Sequence, residues 1–209
     1  MKISELLSNY PSLEVCEKDI TDATNAIINC YKNGGKVLIC GNGGSSADSG
    51  HIVGELMKGF LKMRPISDAQ KAQMKENYPD FPDEMFPLLQ GSLPAINLTE
   101  NSVIISAFAN DVDPDMSYAQ QVLGYANKGD VLIGISTSGN AKNVAYAVKV
   151  ARAKGAVTVG LTGKDGGILK NLCDTTIVVP QNETYKIQEL HLPVYHYICA
   201  AVEAAFYNE

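Results

Sequence analysis

The chain has 209 residues, 45% hydrophobic and 19% charged, enough to bury the core of one domain or of one domain with an elaboration. A net charge of −6 and the lack of any basic tract argue against nucleic acid as a partner. No apolar run is long enough to span a bilayer, and the first residues lack a signal peptide's apolar core and cleavage site; the five cysteines form no CxxC and read as buried free thiols of a cytoplasmic protein.

Leu13, Cys16, Ile20, Ala23, Ile27 and Tyr31 recur at helical spacing. They predict a helix over 11–33, stopped by Asn33-Gly34-Gly35, so 1–35 is an N-terminal helical region of a single 1–209 domain. Val37–Cys40 reads as a buried strand, Gly41–Ser46 as a small-residue turn, and the following segment as a helix to about Phe60. Residues 61–93 carry Pro65, Pro79, Pro82 and Pro87 with few aliphatics, and read as an inserted loop or flap with a short helix over Asp68–Asn77. Pro94–Leu98 is a strand, and 99–111 fits helix and strand equally. A helix over Tyr118–Ala126, the strand Val131–Ile135, the turn Ser136–Asn140 and an amphipathic helix over Ala141–Lys154 come next. The strand Ala156–Leu161, a third turn at 162–167, a short helix to Leu172, the strand Thr175–Val179 and a last helix over Thr184–Phe206 complete the chain.

Strands with near-continuous Val, Ile and Leu that alternate with helices predict a parallel sheet covered on both faces, an α/β three-layer sandwich. Ligands of such sheets bind outside the carboxyl ends of the strands. The turns GNGGSS and STSGN each follow a buried strand and precede a helix, which puts them on the same sheet edge. Ser136, Thr137 and Ser138 offer three hydroxyls beside a helix N-terminus and suit a phosphate. No G-x-x-x-x-G-K-[ST] is present, and Gly41-Asn42-Gly43 lacks the third glycine of a dinucleotide fingerprint, so nucleotide binding is disfavoured.

His51 and Glu55 stand four residues apart, so on a helix they share a face. That spacing serves helical metal pairs and also occurs in ordinary surface pairs. On the last helix Gln188 and His196 lie about 80° apart and His191 and His196 about 140°. The two histidines therefore do not readily serve one ion, and periodicity leaves open which of them joins Gln188. A carboxylate and an imidazole beside a phosphate turn suit proton transfer between neighbouring carbons of a phosphorylated small molecule, and a divalent metal there could polarise a carbonyl and a hydroxyl together.

The motifs V-L-I-C-G-N-G-G-S at 37–45, H-I-V-G-E-L at 51–56, N-D at 110–111, G-D-V-L-I-G-I-S-T-S-G-N at 129–140, L-T-G-K-D-G-G at 161–167 and I-Q-E-L-H-L-P-V-Y-H at 187–196 resemble, in order and spacing, the sugar isomerase (SIS) fold family and, within it, the phosphoheptose isomerases. They span most of the chain outside 61–93. The resemblance implies a flavodoxin-like topology. It implies a substrate-contacting turn at Asn42, Gly43, Gly44 and Ser45, sugar contacts from Asn110 and Asp111, and a phosphate loop at Ser136, Thr137 and Ser138. It further implies one zinc ion per site on His51, Glu55, Gln188 and His196, with Glu55 and Gln188 also touching substrate, and Glu55 and His196 as the acid–base pair. His191 is then not a ligand.

The activity so implied is conversion of sedoheptulose 7-phosphate to D-glycero-D-manno-heptose 7-phosphate, a lipopolysaccharide or surface-glycan precursor. Glu55 takes a proton from C1 to give a cis-enediol, His196 moves protons at the oxygens or at C2, and zinc holds the O1/O2 pair. Family members resemble cytoplasmic homotetramers with shared active sites, without membrane or nucleic-acid partners. The alternatives are a noncatalytic SIS protein that binds a phosphosugar or a protein partner, and an isomerase of a different phosphosugar. Where the family commonly has a further serine after S-T-S-G-N, this chain has Ala141; Lys58 shifts the basic residue that commonly follows H-x-x-x-E-L; and 61–93 is longer than is typical.

Overall fold

A computed structural model describes residues 2–207; Met1, Asn208 and Glu209, at the ends of the expected 1–209 domain, lie outside the described residues. A short helix, α1 (Ile3–Asn9), opens the chain. The helix expected over 11–33 is two pieces, a 3₁₀ segment Pro11–Cys16 and the helix α2 (Glu17–Lys32). Both bury one continuous stripe, Leu13, Cys16, Ile20, Ala23 and Ile27. A 3₁₀ turn aligns i with i+3, so Leu13 and Cys16 share a face whichever helix type holds them, and the periodicity hid the break.

The strands β1 (Val37–Gly41), β2 (Ala95–Asn97), β3 (Val131–Ser136), β4 (Val157–Thr162) and β5 (Thr175–Val178) form one parallel sheet in the order β2-β1-β3-β4-β5. This is the flavodoxin-like order, whose crevice opens between β1 and β3. Side chains alternate between two buried layers. Val37 and Ile39 face the layer shared with α2, α3 (Gly44–Met57) and α9 (Thr184–Phe206). Leu38 and Cys40 face the layer shared with α6 (Ser117–Tyr125) and α7 (Lys142–Ala153). Burial on both sides explains why these strands read as unbroken apolar runs. Cys16, Cys30, Cys40 and Cys199 are buried, and all five cysteines are free.

The stretch that fitted helix and strand equally is the helix α5 (Ser102–Asp111), which buries none of its residues within this chain. Its apolar residues run around the helix, Val103 exposed and Ile104, Ile105 and Phe108 half-buried, so no single stripe marked its period. The expected helix at 68–77 is α4 (Asp68–Asn77), started by a capping box in which Ser67 accepts from the Gln70 N–H. A 3₁₀ segment (Asp83–Leu88) follows it, so 61–93 has structure of its own beyond that one helix. The short helix before β5 is α8 (Leu169–Leu172).

Helix α3 ends at Met57, not at Phe60: Lys58 is extended, at φ −133° and ψ 173°. The carbonyls exposed by that ending are taken by Arg64, which is fully buried. Its Nη1 donates to Leu56 O at 2.7 Å, its Nη2 to Glu55 O at 3.0 Å and its Nε to Glu203 Oε1 at 2.8 Å. Glu203, on α9, also accepts from the Phe60 and Leu61 N–H groups, both at 2.8 Å. Thus one guanidinium and one carboxylate cap α3, fix the start of 61–93 and tie both to α9. Removing either partner strands a buried charge, which typically costs about 3–5 kcal/mol. Arg64→Ala and Glu203→Ala should each lower the urea unfolding free energy by about that amount.

Burial raises the Glu203 carboxyl, but hydrogen bonds from Phe60 and Leu61 and the Arg64 guanidinium outweigh it and hold the group below its ordinary value. Its stabilisation is therefore complete above the unfolded value of about 4.3 and is lost as pH falls through the depressed folded value. The urea midpoints of wild type and Glu203→Gln should converge over that acidic window.

Candidate active site

The two small-residue turns lie side by side, because β1 and β3 are neighbours in register, Gly41 opposite Ile135. In the first, Gly43 has φ +56°, a conformation that favours glycine, and Ser45, buried, donates its N–H to Asn42 O at 3.0 Å. In the second, Ser136 Oγ accepts from the Ala141 N–H at 3.4 Å and Ser138 Oγ from the Asn140 N–H at 3.2 Å. Both hydroxyl protons remain available to a ligand. Thr137 is half-buried, and its carbonyl accepts from the Gly163 N–H at 3.1 Å. The N-terminus of α7 adds its dipole to this turn.

A residue not singled out from the sequence joins the turns. Asn143, in the first turn of α7, exchanges two amide hydrogen bonds with Asn42, each 2.9 Å. Tyr118 steadies the same asparagine, its hydroxyl 2.8 Å from Gly41 O and 3.2 Å from Asn42 Oδ1. Asparagines in surface turns are common, and only the pairing of β1 with β3 brings these two together.

His51 and Glu55 share one face of α3, and α9 crosses it with His196. His51 Nε2 stands 3.3 Å from Glu55 Oε1 and 3.5 Å from His196 Nε2. Phe60 packs beside His196, ring centroids 5.5 Å apart, held there by the Glu203 contacts on its own backbone. The second Glu55 oxygen accepts from Lys58 Nζ at 3.0 Å, so the shifted basic residue of this chain reaches the carboxylate itself. Burial, and next the neighbouring His51, push His196 below the ordinary histidine value, with Glu55 opposing. His196 is therefore neutral at pH 7, with one nitrogen to accept a proton and one to donate.

His191 faces away. It is fully buried, its Nε2 donates to Thr162 O at 3.2 Å, and burial lowers it to about 4. The alternative left open by the helical wheel is thus decided by packing. Gln188 lies against the first turn: a Cβ on Gly44 would come within 2.2 Å of its Nε2. Asn110 and Asp111 sit on the exposed last turn of α5, where Asn110 Nδ2 donates to Asp111 Oδ1 at 2.6 Å. The two side chains thus bond to each other, not to either turn.

Among the described residues no group of three or more His, Cys, Asp or Glu side chains forms a ready metal cluster. The donor separations around His51 nonetheless fit one. Ligands at about 2.0–2.1 Å from a tetrahedral zinc stand about 3.3–3.4 Å from each other, close to the two distances from His51 Nε2. Two imidazole nitrogens and a carboxylate oxygen that converge this closely are held by a shared proton or by a cation among them. Those three residues therefore suit a divalent metal; Gln188 lies about two turns before His196 on α9, against Gly44, and makes no hydrogen bond to the three.

A flavodoxin-like sheet with paired hydroxyl turns at its switch point, crossed by a His–Glu–His set, belongs to the class of phosphosugar-binding SIS domains; models of the SIS domain match residues 3–82 and 104–206. The chain is 41% identical to the phosphoheptose isomerase of a Nitratiruptor species, over 97% of this chain and 96% of that protein. It is 39% identical to that of Aliarcobacter butzleri, over 96% and 95%. Its fold superposes on phosphoheptose isomerase from Neisseria gonorrhoeae with a TM-score of 0.75 at 30% identity, covering 96% of this chain and 94% of that one. Phosphoheptose isomerase from Francisella tularensis gives 0.76 at 29%, covering 95% and 92%. The chain belongs to the phosphoheptose isomerase family.

Because the Gln188 amide is the flexible end of its side chain, Gly44→Ala should fold with a stability change under about 1 kcal/mol and displace that amide. The Gln188 NH₂ resonances should move in a ¹H–¹⁵N spectrum while those of the sheet stay in place.

Proposed function

We propose that this chain isomerises sedoheptulose 7-phosphate to D-glycero-D-manno-heptose 7-phosphate. The observation that carries the reading is the convergence of Glu55 and His196 on His51 Nε2, on the helix that leaves the first of the two hydroxyl-rich turns. A noncatalytic scaffold has no need of that set. Ser136, Thr137 and Ser138, with the α7 dipole, bind the phosphate. Asn42, Gly43, Gly44, Ser45, Asn110, Asp111 and Gln188 line the sugar. Ala141, in place of a serine, removes one donor from the phosphate turn.

Glu55 takes the C1 proton as general base, and the electron pair left behind forms the enediol between C1 and C2. His196, neutral beforehand, shuttles protons at the O1 and O2 atoms or returns one to C2. Lys58 holds the second Glu55 oxygen at 3.0 Å and so turns the other toward the reacting carbon. The Phe60 ring covers one side of His196. His51, Glu55, Gln188 and His196 would hold one zinc ion, which supplies positive charge beside the two substrate oxygens when bound.

The family relationship and the exposed apolar residues of α5, with Val103 76% exposed, support a homotetramer. Among the described residues no helix is long and apolar enough to cross a membrane, in keeping with a cytoplasmic enzyme that makes a heptose precursor of lipopolysaccharide. Residues 61–93 read as an insertion anchored beside the site.

Incubation with sedoheptulose 7-phosphate should yield the aldose by NMR. Glu55→Gln should lower kcat by at least about 10³-fold while phosphosugar binding survives; ordinary turnover by that variant would overturn the assignment of the base. Exhaustive chelation should abolish turnover and zinc should restore it.

A further inference from the structure

His51 has a second nitrogen, and its surroundings are not explained by the reaction. Its Nδ1 lies 3.0 Å from the Tyr195 hydroxyl. That hydroxyl in turn lies 3.3 Å from Asp48 Oδ1. Asp48 precedes His51 by three residues on the same face of α3, and Tyr195 is the residue before His196 on α9. The chain Asp48–Tyr195–His51 therefore bridges the two helices behind the site.

A phenol has one proton to give. With that proton given to the Asp48 carboxylate, the oxygen accepts from His51, and His51 carries its proton on Nδ1. The Nε2 lone pair is then bare, and it points at Glu55 and His196. Two further features support this role for the hydroxyl. The Tyr195 ring is 3% exposed within the core, where phenylalanine would fill the same space. Asp48 Oδ2 is buried with no hydrogen-bond partner among the described residues, a cost of about 1–3 kcal/mol that a purely structural carboxylate would avoid by capping a backbone N–H. His51 and Tyr195 also meet edge to face, centroids 5.4 Å apart, which holds the ring plane.

We propose that Asp48 and Tyr195 are positioning residues that lock His51 in the Nδ1–H tautomer and aim its Nε2 lone pair into the Glu55–His196 cluster. This rests on the metal-assisted reading of the site: the lock presents an unprotonated nitrogen that a divalent cation can take without first displacing a proton. Such outer partners of a ligating histidine are typically worth about 10–100-fold in metal affinity.

The test begins on metal-free full-length protein with ¹⁵N-labelled histidine. Long-range ¹H–¹⁵N spectra should show His51 protonated on Nδ1 and bare on Nε2. In Tyr195→Phe, which keeps the ring and loses the acceptor, the Nε2–H form should become substantial. In Asp48→Ala the phenol proton is released to Nδ1, and the tautomer should shift the same way. Competition with a chromogenic chelator should then show zinc bound about 10–100-fold more weakly by both variants. An Nε2–H tautomer in the wild type overturns the proposal without any variant, and so does an unchanged tautomer in both variants. If the tautomers behave as expected but zinc binds wild type and variants alike, the link to the metal is overturned. Wild type that binds no zinc at all sinks the metal reading together with this extension of it, a result distinct from the failure of the relay alone.

Discussion

The Arg64 guanidinium is the contact on which the working geometry depends. Helix α3 carries His51 and Glu55, and its last carbonyls have no partner within the helix. Arg64 supplies that partner from the loop beyond and in the same act binds Glu203 near the end of α9. The pair is enclosed and its hydrogen bonds are satisfied, so neither helix can slide on the other without exposing a bare charge. His196, seven residues before Glu203, is thereby held over His51. The chain leaves α3 in an extended stretch, which brings Phe60 beside His196 and starts residues 61–93 from a fixed point.

The sheet supplies the other coordinate. In the order β2-β1-β3-β4-β5 the connections diverge between β1 and β3, and the turns after those strands face one crevice. The Asn42–Asn143 amide pair closes the gap between them. On one side of the crevice are hydroxyls and a helix N-terminus, suited to an anion. The histidine–carboxylate set stands about two to three turns farther along α3 and is suited to proton transfer. The separation of these two chemistries along α3 suits a substrate with its phosphate at one end and its reacting carbons at the other.

Much of the architecture was legible because it rests on local rules. Buried parallel strands have no polar face, so β1, β3 and β4 read as plain apolar runs. Ser67 and Gln70 announce α4 through a capping box. Legibility failed where a local rule had no purchase. Helix α5 buries no residue fully in this chain and its apolar residues run around it, so its sequence has no single stripe to read. The break at Cys16 left the apolar spacing intact. The end of α3 was misplaced by three residues, because its cap comes from Arg64, beyond the helix and in a stretch with no regular pattern of its own. In the site, the spacing of His51 and Glu55 was visible, and the kinship of the motifs named Gln188 and His196. Asn143, Tyr118, Tyr195 and Asp48 were not visible, since each matters through a neighbour distant in sequence.

Sequence alone determined most of the elements, the parallel α/β class, the two hydroxyl turns and the pool of groups able to do the chemistry, because each follows from spacing and residue type over a few residues. Tertiary structure decided which of those groups meet. It turned His191 into the core against Thr162 and His196 onto His51, a choice the helical wheel left open because it depends on where α9 lies against the sheet. It also placed a tyrosine and an aspartate behind His51. Hydrogen bonds between α3 and α9 exist only once the two helices are packed, and no local pattern encodes them.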